Sequence, residues 1–223
     1  MIPAVVLLSG GLDSTTLLHY VARRLERQVT PLAFDYGQRH RRELSCAEAQ
    51  SAALGLPLRR LDISALVQLF ASSALVDPQA AVPDGLSVLG DPQPKTYVPN
   101  RNTILLALAA AQAETLGAAE LYYGAQRHDV YGYWDTTAEF VERLNAVFAL
   151  NRKQPVQVLA PLIDRNKTEI LRLALELGVD LAQTWSCYQG DAAPCGRCLT
   201  CAERRKAFAD LGLADPLSAG AQE

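Results

Sequence analysis

The chain has 223 residues, 49% of them hydrophobic, and a mean hydropathy of +0.03, values that predict a globular protein and exclude a disordered one. The formal net charge of −3 provides no bulk attraction for polyanions, so we predict no nucleic-acid partner. No apolar run reaches the roughly 20 residues that a membrane-spanning helix needs, which predicts a cytoplasmic protein without a membrane partner.

The first predicted element is a strand at Ala4–Leu8, which leads through Ser9-Gly10-Gly11 into a helix. This apolar run is too short, and lacks the basic leader, for a signal peptide. The glycines let the backbone approach an oxyanion, and the amides at the start of a helix attract negative charge. We therefore predict a phosphate-binding turn, with a serine-capped turn as the simpler alternative. Asp13, inside this turn, would either position Mg²⁺ or cap the helix.

Short apolar runs alternate with helical patterns along the rest of the chain. This alternation is typical of an α/β fold in which helices cover both faces of a doubly wound, mostly parallel sheet. The proline-rich stretch Ser72–Pro99 interrupts the alternation and predicts a long functional loop. Further strands are predicted at Val29–Phe34, Leu58–Leu61, Leu121–Tyr123 and Val156–Leu159, and helices at Leu44–Leu54, Ile63–Phe70, from Asn102 or Thr103 to Leu116, Ala138–Leu150 and Lys167–Leu177.

Three polar strings are predicted to meet near the phosphate turn, because the carboxyl ends of parallel strands share one edge of a sheet. One follows the second strand, one ends the proline-rich loop and one begins a helix. Each alone could be an ordinary turn or helix cap, but together they indicate a ligand site. The strings are Phe34–His40, Tyr97–Thr103 and Asn166–Ile170.

Four of the five cysteines crowd into one C-terminal segment, which in a reducing compartment favours metal binding over disulfides. Their CxxCxxC core can aim three thiolates at one point, and a loop can return the fourth. Four soft ligands fit a closed, structural zinc site, whereas an iron–sulfur cluster is the alternative. Cys46 stands apart and is predicted to pack in the core. The predicted metal ligands are Cys187, Cys195, Cys198 and Cys201.

The glycine turn resembles the signature of the PP-loop ATP pyrophosphatases. With the other strings it is similar to the 7-cyano-7-deazaguanine synthase family, and this resemblance runs from Leu8 to about Gly212. The resemblance also places Gly132–Asp135 on a stretch of that family. The chain departs from this stretch at Trp134, Thr136 and Thr137, where the family often has proline, cysteine and arginine. The departure removes an arginine near the presumed base pocket. The matching strings read SGGLDSTT from Ser9, YGQRH from Tyr36, VPNRN from Val98 and NKTE from Asn166.

The resemblance implies a fold of the adenine-nucleotide alpha-hydrolase type with a small helical, zinc-binding C-terminal region. Residues 1–180 would form the PP-loop domain, 181–215 the four-cysteine region and 216–223 a tail. The family's function would be an ATP-dependent ligation in which 7-carboxy-7-deazaguanine and ammonia give the nitrile through an adenylated acid and an adenylated amide. AMP and pyrophosphate would be released with Mg²⁺ present, and the protein would be a homodimer that uses free ammonium.

The resemblance also assigns roles to individual residues. Three residues would be catalytic. Lys167 and Arg101 would stabilise charge, and Asp135 would hydrogen-bond to the guanine-like edge of the substrate. Substrate would contact Tyr36, Gln38, His40, Asn100, Arg101 and Asp135. The nucleotide would contact Leu8, Ser9, Gly10, Gly11, Leu12, Asp13, Ser14, Thr15, Thr16, Leu17 and Leu18.

Two other functions compete with this one. An adenylating enzyme of the same class could join a related acid to another amine or act as a tRNA thiolase, although the chain shows no basic surface or extra domain for tRNA. A zinc-stabilised module could instead bind nucleotide without catalysis. Pyrophosphate release that depends on the deazaguanine acid separates the enzymes from the binding module.

Overall fold

The computed structural model describes residues 1–39, 41–85, 91, 93–127, 133–189 and 193–218. They form a five-stranded sheet with the strand order β3-β2-β1-β4-β5, and every neighbouring pair is parallel. The predicted fold class is therefore confirmed, and the predicted strands begin and end within a residue of the observed ones. The strands are β1 Pro3–Leu7, β2 Gln28–Asp35, β3 Arg59–Asp62, β4 Glu120–Tyr122 and β5 Gln157–Leu159.

Six α-helices connect and cover the strands within these ranges. The first continues into a π-helical turn, Tyr20–Arg24, and a 3₁₀ segment, Ser64–Phe70, follows β3. None of the helices in the described ranges is long and apolar enough to cross a membrane. The helices are α1 Leu12–His19, α2 Arg41–Ala53, α3 Arg101–Thr115, α4 Ala138–Phe148, α5 Lys167–Glu176 and α6 Leu199–Asp210.

The sheet separates two apolar cores. Because side chains alternate along a strand, Val6 of β1 faces a core built with α1, α5 and α6, while its neighbour Val5 faces a second core built with α3 and α4. The strand order reverses between β1 and β4, so the chain leaves these two strands in opposite directions. Their carboxyl ends therefore open the crevice in which doubly wound folds bind ligands.

The start of α3 differs from the prediction. The helix begins at Arg101 rather than after an Asn102 or Thr103 cap, and Asn100 precedes it with a φ of +50° and no side-chain cap hydrogen bond. Asparagine tolerates this left-handed conformation better than most residues. The Tyr97 hydroxyl accepts a hydrogen bond from the Asn100 amide, which holds the turn. As a result, Asn102 lies within the first helical turn and is buried.

The cysteine-bearing region is packed onto the sheet domain. Helix α6 contacts α5, and Phe208 of α6 belongs to the same core as α1. The Arg204 guanidinium is buried and forms an ion pair with Asp215 at 2.8 Å. The predicted boundary at residue 180, between the PP-loop domain and the four-cysteine region, stays a prediction. Residues 219–223 of the predicted tail lie outside the described part of the chain.

Candidate active site

The glycine turn lies at the carboxyl edge of the sheet between β1 and α1. Ser14 Oγ accepts a hydrogen bond from the Ser9 amide at 3.1 Å and lies 3.0 Å from Ser9 Oγ. Gly10 has a φ of +87°, and a Cβ at this position would lie 2.0 Å from the Glu43 carbonyl oxygen. Helix α2 therefore packs directly on the turn. The amides of the first turn of α1 have no intrahelical acceptor and are available to an anion.

A cavity of about 270 Å³ opens in front of this turn. The carboxyl ends of β1, β2 and β4 form its floor, and the first turns of α2, α3 and α5 contribute side chains to its walls. Part of the lining is apolar, which suits a flat base, and the rest is polar. The apolar part includes Leu7, Leu32, Phe34 and Leu105, and the polar part includes Ser9, Asp13, Ser14, Glu43, Arg101, Gln126 and Lys167.

Lys167 reaches the phosphate turn from α5. Its ammonium group donates to both carboxylate oxygens of Asp13, at 2.8 and 2.6 Å. A capping box fixes the start of α5: Asn166 Oδ1 accepts from the Glu169 amide, and Glu169 Oε2 accepts from the Asn166 amide. The helix start thus holds a cation beside the predicted phosphate site.

Arg101 lies across the cavity on the first turn of α3. Its Nη1 donates to the Tyr36 hydroxyl at 3.3 Å, and the guanidinium carbon lies 5.8 Å from the centre of the Tyr36 ring. Gln38 fixes the loop that carries Tyr36, because its Oε1 accepts from the Tyr36 amide and its Nε2 donates to the Phe34 carbonyl. Tyr36, Gln38 and Arg101 therefore meet at one cavity, as predicted from their strings.

Asp135 lines a smaller cavity of about 90 Å³ that shares Arg101 and Asn102 with the larger one. Burial raises the pKa of Asp135, against the Arg101 charge and hydrogen bonds from Asn102. The Tyr123 hydroxyl donates to the Asp135 carbonyl oxygen at 3.0 Å. The Asp135 carboxyl group is thus tied to the start of α3.

The residues that depart from the family strings have identifiable local contacts. Trp134 Nε1 donates to the Tyr97 hydroxyl at 3.2 Å, and the Trp134 ring packs edge-on against Phe140. Thr137 caps α4 by accepting from the Phe140 amide at 3.1 Å. Thr136 lines both cavities. The hydroxyl-bearing side chain of Thr136 therefore borders the cavity at a position where the family often has cysteine.

Several residues predicted to bind ligand do not line the cavity. Asn100 is exposed, because the left-handed turn points Arg101 and Asn102 inward instead. Predicted contact His40 lies outside the described residues. The others belong to the part of the turn that packs on α2 or to buried positions of α1: Gly10, Thr15, Thr16, Leu17 and Leu18.

Gln126 and Glu43 are among the cavity residues that were not predicted from the sequence. Gln126, which follows β4, is 4% exposed, and its Oε1 has no hydrogen-bond partner in the described part of the chain. Glu43, on the first turn of α2, is half-buried and faces the cavity. Burial raises the pKa of Glu43 to about 8, and the Arg101 charge opposes this rise. Gln126 follows a strand at the ligand edge, a position that could have marked it as a candidate.

The raised pKa of Glu43 predicts a pH-dependent stability. Between the ordinary pKa of 4.5 and about 8 the folded chain holds a proton that the unfolded chain has lost, so stability falls as pH rises through this window. Relative to Glu43→Gln, the wild-type protein should lose on the order of 3 kcal/mol between pH 5 and pH 9. Urea unfolding of both proteins at the two pH values measures this difference, and equal pH slopes would contradict it.

The four predicted metal ligands also come together. Their sulfur atoms all lie within 4.8 Å of one another, and Cys195 and Cys201 are 4.0 Å apart. The amides of Gln189 and Cys195 donate to Cys187 Sγ at 3.3 Å each. Hydrogen bonding from the Cys187 thiol, and then from Cys201, lowers the pKa of Cys198. The cluster can therefore hold a metal ion.

Trp185 joins the cysteine centre to the phosphate turn. This fully buried side chain donates through Nε1 to the Cys187 carbonyl at 3.0 Å. Its own amide donates to the Gly10 carbonyl at 3.0 Å. The Arg42 guanidinium lies 4.2 Å from the centre of the Trp185 ring. A single residue thus connects both predicted sites.

Comparison with known proteins identifies relatives along almost the whole chain. A family profile described as Queuosine biosynthesis protein QueC matches residues 3–212. The chain is 46% identical to the 7-cyano-7-deazaguanine synthase of Alteromonas mediterranea over 96% of each protein. It is 42% identical to that of Thermosynechococcus vestitus, over 96% of this chain and 94% of the relative.

One solved structure has a similar fold. The U34-tRNA thiolase NcsA from Methanococcus maripaludis, solved with its 4Fe-4S cluster, has a TM-score of 0.50. The two proteins are 13% identical, and the match covers 100% of this chain and 76% of the thiolase. At this identity the likeness concerns the arrangement of strands and helices.

Proposed function

The chain belongs to the Queuosine biosynthesis protein QueC family, and we propose that its cavity converts 7-carboxy-7-deazaguanine, ATP and ammonia into 7-cyano-7-deazaguanine. The observation that carries the proposal is the phosphate turn with Lys167 and Asp13 on one side of a cavity and Arg101 on another. Adenylation needs donors for a leaving pyrophosphate and a cation for the acid, and this cavity offers both.

The reaction requires two activations. The carboxylate oxygen attacks the α-phosphorus of ATP, the bond to the bridging oxygen breaks, and pyrophosphate leaves. Ammonia then attacks the acyl carbon, loses a proton and displaces AMP, which leaves a primary amide. In the second round the amide oxygen takes an adenylyl group from another ATP. Loss of AMP and of the two amide protons then leaves the nitrile.

The chain's own residues can stabilise the charges that develop in these steps. The free amides of the turn and the Lys167 ammonium face the position of the leaving pyrophosphate, where negative charge increases. Arg101 would hold the acid. Asp135 accepts hydrogen bonds from Asn102, so we propose that it positions the start of α3 and Arg101 instead of meeting the guanine-like edge. Mg²⁺, when bound with ATP, would neutralise phosphate charge, and the Asp13 carboxylate is a suitable ligand.

Product analysis tests the function directly. Incubation with ATP, Mg²⁺, ammonium and the acid should give the nitrile, with two AMP and two pyrophosphate per molecule of product, measured by mass spectrometry and phosphate assay. ADP as the nucleotide product would contradict the proposal. AMP formation without nitrile would favour an enzyme with another acceptor, and acid-independent binding without pyrophosphate release would favour a nucleotide-binding module.

Replacement of Lys167 tests its assigned role. Lys167→Ala removes the cation beside the turn, so acid-dependent pyrophosphate release should slow by about 100- to 1,000-fold. The exposed Lys153→Ala is the matched control and should keep wild-type activity. Unchanged pyrophosphate release by Lys167→Ala would remove Lys167 from the mechanism.

We propose zinc as the metal of the cysteine centre. Four thiolates around one zinc ion at about 2.3 Å would lie about 3.8 Å from one another, close to the spacing of these sulfur atoms. A cubane iron–sulfur cluster places four irons between its four cysteine thiolates, so their sulfur atoms must lie farther apart than around one zinc ion. One zinc per chain by elemental analysis, without visible absorption, is the expected result. Cytoplasmic location and the homodimer remain proposals, the latter testable by light scattering.

A further inference from the structure

Glu43 carries a carboxyl group that has no hydrogen-bond partner in the described part of the chain. The residue lies on the first turn of α2 and lines the main cavity. No hydrogen bond or ion pair engages its carboxyl group among residues 1–39, 41–85, 91, 93–127, 133–189 and 193–218. A half-buried carboxyl group has lost part of its hydration and is stabilised when a hydrogen-bond donor reaches it. The side chains described around the cavity therefore supply no donor to this group.

The surroundings of Glu43 indicate what could supply that donor. Three other side chains, Tyr36, Tyr188 and Arg101, line the same cavity as Glu43. Arg101 donates to Tyr36 and forms no ion pair with Glu43. A carboxyl group and a guanidinium thus face one space lined by aromatic rings without neutralising each other. Such a space suits a flat ligand with donors on one edge and an acidic group elsewhere.

The position of Glu43 also suits the reacting acid. The Glu43 carbonyl packs against Gly10 of the phosphate turn, so the first turn of α2 is fixed relative to the position of the pyrophosphate. A heterocycle held by Glu43 could direct its carboxylate toward the α-phosphate of ATP in the same cavity. An aminopyrimidinone edge presents a ring N–H and an exocyclic amine side by side. These two donors favour the ionised form of Glu43, whose two carboxylate oxygens can accept both hydrogen bonds. Adenine instead presents one donor beside one acceptor.

We propose that Glu43 is a specificity-determining residue that accepts hydrogen bonds from the ring N–H and exocyclic amine of the deazaguanine acid. This role rests on the function proposed above. It assigns the recognition of the guanine-like edge to α2, whereas the sequence assigned it to Asp135. Glu43 contributes substrate affinity and discrimination, and the phosphate turn with Lys167 carries the adenylation.

Equilibrium binding separates this role from a structural one. Calorimetry with the acid and with its analogue lacking the exocyclic amine should show that the wild-type protein prefers the natural acid. Glu43→Gln should weaken binding of the acid by about 10- to 100-fold, change ATP affinity by less than about twofold, and lose most of the preference for the amine. Glu48→Gln, an exposed change on the same helix, should match the wild type. Circular dichroism checks that each variant is folded.

Other outcomes would overturn the assignment. Unchanged affinity for the acid in Glu43→Gln would exclude the contact. A selective rise in KM for ATP or for ammonium would assign the carboxyl group to that ligand instead. If the wild-type protein makes the nitrile and Glu43→Gln is indistinguishable from it, only the role of Glu43 fails. If the wild-type protein neither binds nor converts the acid, the proposed function fails first.

Discussion

We expect Gly10→Ala to abolish nucleotide-dependent activity. The new methyl group would lie 2.0 Å from the Glu43 carbonyl oxygen and 2.8 Å from the Ala47 nitrogen, both of which are helix backbone and cannot rotate away. Overpacking of this kind costs about 1–3 kcal/mol, and the left-handed backbone adds about 1–2 kcal/mol. Relief of the contact requires the turn and α2 to separate, so pyrophosphate release should fall by at least about 100-fold. Urea unfolding and the pyrophosphate assay measure the two effects.

Gly117→Ala is the control for backbone strain alone. Gly117 also has a positive φ, +68°, but a Cβ there would meet nothing within 4 Å. This variant should lose about 1 kcal/mol of stability and keep its activity. If Gly10→Ala behaves like Gly117→Ala, the close packing of α2 on the turn is not required for function.

The second large effect is expected from Cys198→Ser. Cys198 is the proposed metal ligand that precedes α6, and it is buried; its amide also donates to Cys195 Sγ at 3.3 Å. Loss of one of four ligands should reduce the bound metal to well below one per chain and lower the free energy of unfolding by at least about 3 kcal/mol. Elemental analysis and thermal unfolding, with and without a chelator, measure both quantities.

Cys46→Ala is the matched control for the loss of a buried thiol. Cys46 is buried beside the same cluster but does not belong to the four sulfur atoms that meet. It should retain the full metal content and lose only the stability expected for a small cavity, about 1 kcal/mol. Equal metal content in Cys198→Ser and the wild type would contradict the assigned ligand set.

Local patterns were sufficient to predict the sheet, the turn and the cysteine centre. Strand runs such as Ala4–Leu8 are recognised because they are short and apolar. The conformation of a glycine turn between a strand and a helix depends mainly on its own residues and little on distant segments. The cysteines are close in sequence, so their spacing almost determines that they meet. Lys167 was predicted because it begins a helix at the ligand edge of the sheet.

Contacts between distant segments could not be predicted in the same way. The first turn of α2 carries Glu43, and only the packing of that helix on Gly10 brings its carboxyl group to the cavity. The contact of Asp135 with substrate stays a prediction, and its hydrogen bonds from Asn102 depend on how Asp135 packs against the start of α3. Thr15 and Thr16 belong to the matching string, yet helical rotation directs them into the protein interior.

The hydrogen bond from the Trp185 amide to the Gly10 carbonyl has a consequence for dissecting the protein. A truncated chain that ends at residue 180 would remove a main-chain donor from the turn and expose the apolar surface that the indole covers. We therefore expect that neither residues 1–180 nor the cysteine region alone retains nucleotide affinity, although the sequence suggests two separate regions. Their assembly should behave as one cooperative unit in a melting experiment.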